Sequence, residues 1–152
     1  MPLVKSVLKI GIQEIIDTQY SGFVEFPPTV PDAAERWSEA IDKYAKLVLP
    51  VSVSSNTAKL AAKGQLLTVP TLGVQAFVNA LVAYATALAV GMAPTFTGVP
   101  PPTPPVIAPI LAAGFAGADS VTIAELLSST IHIWFKTGTA INNTSGVTIT
   151  WN

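Results

Sequence analysis

The chain has no cysteine. Disulfide staples, thiol nucleophiles and thiolate metal sites are therefore all excluded, and the redox compartment is left open. Charge is also scarce, at 11% of residues, against about 25% in an ordinary soluble domain. Eight basic residues face nine acidic ones, for a net charge of −1. No basic field exists to attract a phosphate backbone, so nucleic acid is not an expected partner.

Histidine occurs once, as His132, between Ile131 and Ile133 in a helical pattern. No serine nucleophile motif accompanies it, and a zinc site would have to be built from this residue and carboxylates alone. Asp32, Glu35, Glu39 and Asp42 recur at helical spacing, but Arg36, Lys43 and Lys46 are interleaved with them. That is the pattern of a solvated helix face, not of paired acid and base in a cleft. The glycines of Gly114-Phe115-Ala116-Gly117-Ala118-Asp119 carry neither the phosphate-loop lysine nor dinucleotide spacing. Aromatic and basic residues are not interleaved, so no stacking platform for single strands is built. The expectation is a protein that is not an enzyme, with no cofactor, metal or small-molecule substrate.

Hydrophobic residues make up 50% of the 152. That is enough for a core in one domain spanning 1–152. Fourteen of the seventeen charged residues lie in the first 63 positions, and none lies between Lys63 and Asp119. The first part is expected to face water and the middle to be hidden.

Apolar spacing predicts a helix over 3–18, weakened at Gly11. A second runs over 31–48, with Thr29 as cap, Pro31 in the first turn and a stripe of Ala33, Trp37, Ala40, Ile41, Tyr44 and Val48. Glu39 and Lys43 stand one turn apart on its wet side. Residues 22–28 read as extended, Leu49-Pro50 as a stop and Val51–Ser54 as a short strand. A modest helix follows over 57–67. Thr71 is expected to cap a helix over 72–90, with Phe77, Ala80, Leu81, Tyr84 and Leu88 on one stripe and alanines that let another helix come close. Six of the twelve residues over 94–105 are proline, which predicts an extended strap. A short helix over 106–113 is expected to be interrupted by Pro109, with a loop over 114–117. The final helix, capped by Asp119 or Ser120 or by the Thr122–Glu125 capping box, ends near Lys136, with Gly138 in the left-handed position. Residues 147–151 alternate as a strand with Val147, Ile149 and Trp151 on one face, and Thr139–Ile141 can pair with it across the Asn142–Gly146 turn.

The uncharged stretch 72–94 is long enough to span a bilayer. Against that stand Gln75 and Asn79 on one face, a preponderance of alanine and the lack of an aromatic belt around Tyr84. A helix hidden inside an oligomer is the reading preferred over membrane insertion. The start of the chain is broken by Lys9, Glu14 and Asp17, so no secretory leader is expected.

The fold class that follows is mainly α: a small helical bundle with a Pro-rich extended strap at 94–105 and a C-terminal β-hairpin or strand at 139–152. Three parts also carry a resemblance: the opening Met1-Pro2-Leu3-Val4-Lys5-Ser6-Val7-Leu8-Lys9, the helix end Trp134-Phe135-Lys136-Thr137-Gly138-Thr139, and the terminal Val147-Thr148-Ile149-Thr150-Trp151. With the absence of cysteine and the low charge, they resemble small structural proteins of tailed-bacteriophage virions, some of them tail, baseplate or neck components. The proline strap departs from that pattern, and no functional residue is carried over. The resemblance implies a virion subunit, assembled in the host cytoplasm, whose partners are copies of itself or other virion proteins. Phe96 in the strap and Val147, Ile149 and Trp151 in the last strand are the expected interface contacts. A small holin-like membrane protein and an adaptor that binds through its strap are the alternatives.

Overall fold

The computed structural model describes residues 3–17, 29–48 and 56–152. The extended piece expected over 22–28, the stop at Leu49-Pro50 and the strand over 51–54 lie outside them. The described chain is mainly helical, with one small antiparallel sheet.

Helix α1 (Lys5–Ile16) buries Leu8, Ile12 and Ile15. Its Gly11 lies against α2 (Val30–Ala45): a Cβ at Gly11 would stand 3.0 Å from the Ala40 Cβ. The glycine that weakens α1 thus lets the two axes approach. As expected, Thr29 caps α2, its hydroxyl oxygen accepting from the Asp32 amide at 3.3 Å, with Pro31 in the first turn. Helix α3 (Asn56–Leu66) buries Ala58, Ala62 and Leu66, one turn apart.

The helix expected over 72–90 is present as α5 (Val74–Gly91), preceded by a separate short helix, α4 (Val69–Leu72). Gly73 separates them with φ of +55°, a conformation that costs glycine little and other residues more. Thr71 is therefore inside α4 and caps nothing. Small residues on α5, among them Ala76, Ala80, Ala85 and Ala89, are buried. The helix packs closely on α3, on α4 and on the sheet. The face assigned above to an oligomer interior is thus covered by the chain itself.

Residues 96–99, expected in the strap, form strand β1 (Phe96–Val99). β1 pairs antiparallel with β2 (Thr139–Asn142), in the register Thr97↔Ile141 and Gly98↔Ala140. β2 in turn pairs with β3 (Thr148–Thr150), so the predicted hairpin is present and β2 is the central strand. Phe96-Thr97-Gly98-Val99 precedes the prolines that would break a ladder, and its partner is forty residues away, where local pattern carries no information. A Cβ at Gly98 would fall 2.5 Å from the Ala89 carbonyl oxygen, so the sheet rests directly on α5. Pro100 to Val106 has neither helix nor strand. The Trp134 indole donates to the Thr103 carbonyl, and Pro105 is buried, which fastens this run to the last helix.

Pro109 opens helix α6 (Ala108–Phe115) and does not interrupt it, because a first-turn amide has no intrahelical acceptor to lose. Gly114 and Phe115, expected in a loop, close this helix, and the turn comes at Gly117, where φ is +92°. Asp119 caps α7 (Ser120–Phe135), accepting from the Thr122 amide at 2.9 Å. Gly138 does not take the left-handed conformation. Its role is spatial and is described below.

A continuous apolar cluster runs from Leu3 to Trp151. Phe135 sits at its aromatic centre, edge-on to Tyr44 at 5.6 Å and to Tyr84 at 6.3 Å. Pairs of this kind add about 0.5–1.5 kcal/mol each beyond burial.

Candidate interaction surface

Charge is segregated between two connected sets of elements. The charged helices α1, α2, α3 and α7 pack on one another, α1 against both α2 and α7, and α2 against α3. Elements α4, α5, β1, α6, β2 and β3 carry no charged residue, and α5 contacts α4, α6 and β1.

Ion pairs tie the charged set together. Glu125 receives Lys5 and Lys9, locking α1 to α7. It is thus an interhelix acceptor, and the Thr122–Glu125 capping box goes unused. Hydrogen bonds from Lys5 and then Lys9 hold its carboxyl at about 2. Glu35 receives Lys63 and Lys59 across the α2–α3 contact and is lowered to about 2 in the same way. Glu39 reaches Lys59 at 3.4 Å, and Asp42 accepts from the Tyr84 hydroxyl at 2.9 Å. Three of the four carboxylates assigned to a solvated face therefore bind neighbouring helices.

His132 sits 2.8 Å through Nδ1 from the Tyr44 hydroxyl. Burial first, then Lys136 and Lys5, lowers its pKa below the ordinary value. Burial raises the Tyr44 phenol above its usual range. Among the described residues, no three His, Asp or Glu side chains converge as a metal site would require.

The uncharged set is only partly hidden. Val90 is 72% exposed, Val106 75% and Phe115 70%. Composition gave no sign of this, because an uncharged stretch reads the same whether it is buried or bare. Phe115 also lines an apolar cavity of about 410 Å³ with Trp37, Phe77, Leu111, Ile123 and Leu127. Among the described residues, no charged side chain lines that cavity.

The four expected contacts divide. Val147 and Ile149 are exposed, at 55% and 38%. Trp151 is not: it is fully buried, stacked 6.3 Å from Phe135, and its indole donates to the Thr139 carbonyl at 2.9 Å. Phe96 is half-buried against the core. The strand is shorter than expected, Thr148–Thr150 against 147–151, and Ile149 lies on the sheet face that meets the helices, since Ala140, opposite it, is fully buried. Trp151 lies in the core, while Val147 is exposed. The outward face carries Thr97, Val99, Thr139, Ile141, Thr148 and Thr150, all β-branched and uncharged.

No family model, curated protein or solved structure matches the chain.

Proposed function

We propose that the chain is a non-catalytic structural subunit of a tailed-phage particle, in the tail, baseplate or neck. It would act through contacts with copies of itself or with other virion proteins. The observation that carries this reading is that large apolar side chains of the uncharged part of the chain stand bare, among them Val90, Val106 and Phe115. Interface cores are depleted in charge and rich in large apolar side chains. The resemblance of the chain's two ends to small virion proteins supplies the particle. The Pro100–Pro105 run serves as a stiff strap held on the subunit's own α7.

Gradient sedimentation of native lysate tests the reading. The chain should travel with particles at fixed stoichiometry, and its absence from them overturns the proposal. One observation favours a membrane reading: among the described residues, Val74–Gly91 alone is long and apolar enough to cross a bilayer, with mean hydropathy 1.6. Crossing would require α3 and β1 to leave the buried face of α5. Resistance to carbonate extraction, with release only by detergent, would favour it over the particle.

A further inference from the structure

We propose that β3 pairs antiparallel with β3 of a second copy, about a two-fold axis at Ile149, joining the two sheets edge to edge. The inference deepens the subunit reading above by naming one partner and its register.

The ladder shows which groups are open. The Trp151 amide donates to Gly138 and the Asn142 amide to Val147, each at 2.9 Å. Main-chain groups of Val147 and Trp151 therefore face β2, and by alternation those of Thr148 and Thr150 face away. All three β3 residues are exposed, and among the described residues no strand lies on the side of β3 away from β2. On the opposite edge the outward Phe96 amide already donates to the Met92 carbonyl at 3.1 Å, and Pro100 follows β1.

Sheet edges left open to water are ordinarily guarded by lysine, proline or a bulge. β3 has none of these, and no charged residue lies between Lys136 and Asn152. For a two-fold contact this matters doubly, because any charge on the edge would meet its own copy. Pairing Thr148 with Thr150 of the second copy would form about four main-chain hydrogen bonds. It would also set Ile149 opposite itself at a non-hydrogen-bonded position, where side chains approach most closely. Ile149 is 38% exposed, so the contact would cover apolar surface that the single chain leaves wet.

The absence of cysteine makes a clean probe. In this register the two Ile149 Cα atoms would lie about 4.5 Å apart, within disulfide reach. The two Val147 Cα atoms would lie about 13 Å apart. Under mild oxidant, Ile149→Cys should form a covalent dimer at least about tenfold faster than Val147→Cys, although Val147 is the more exposed of the two. Sedimentation velocity over a concentration series should show the unmodified chain dimerising. Thr150→Pro removes only an outward amide and should weaken that dimer about tenfold or more. A chain that stays monomeric, equal dimerisation by Thr150→Pro, or equal crosslinking at both positions overturns the proposal. A monomer that still travels with particles would remove the self-pairing and leave the subunit reading standing. A dimer absent from particles would do the reverse.

Discussion

The backbone of Gly138 lies against the indole of Trp151, so closely that a Cβ at position 138 would fall 2.5 Å from the ring carbon Cδ2. Gly138 therefore secures the terminal strand by being small, and Trp151 in turn closes the core over Phe135. Gly138→Ala should destabilise by about 1–3 kcal/mol through overpacking. Trp151→Ala should cost about 3–5 kcal/mol through the cavity it leaves. Chemical denaturation measures both. A Trp151→Ala protein as stable as the parent would show that the ring is not core.

The ion pairs predict acid sensitivity. The carboxyls of Glu35 and Glu125 fall from an ordinary 4.5 to about 2 in the folded chain. Their contribution is complete above about 4.5 and is lost as pH falls toward 2, because only the unfolded chain takes up those protons in that window. Both groups are at the surface, so the slope should be shallow. The thermal midpoint should drop between pH 4.5 and 2, and Glu35→Gln with Glu125→Gln should flatten that drop. Parallel profiles for parent and variant would refute the assignment.

His132 adds a second window. Its folded pKa lies below the ordinary 6.5. Its contribution is therefore full above 6.5 and declines as pH falls through the lowered value. As the only histidine, it gives a single resolved imidazole signal in a proton NMR titration. The midpoint should lie below 6.5, and one above 6.5 would contradict the burial argument. Tyr44→Phe removes the hydroxyl 2.8 Å from Nδ1 and should cost about 0.5–1.5 kcal/mol.

Phe115 separates stability from assembly. Its ring is 70% exposed, so Phe115→Ser should leave the denaturation midpoint within about 0.5 kcal/mol of the parent. Incorporation into particles, read by sedimentation, should fall. Unchanged incorporation would remove this residue from the interface.

Where residues act through neighbours in sequence, they were legible. Thr29 and Pro31 start α2, and the Asn142–Gly146 cluster turns β2 into β3, because caps and turns depend on side chains within a few positions. What depends on distant partners was not legible. Phe96–Val99 becomes a strand only because β2 lies beside it, and Glu125 leaves its capping spacing for lysines on α1. Trp151 shows the same limit within the candidate site. Alternation gives its face correctly, but whether that face meets water or helices depends on where the sheet lands.

The segregation of charge also decides how such an assembly would respond to solvent. An interface made from α5, α6 and the sheet would contain no ionic contact of its own. Added salt would find nothing there to screen, and sulfate would tighten the contact. Chilling would loosen it, since apolar association weakens as temperature falls.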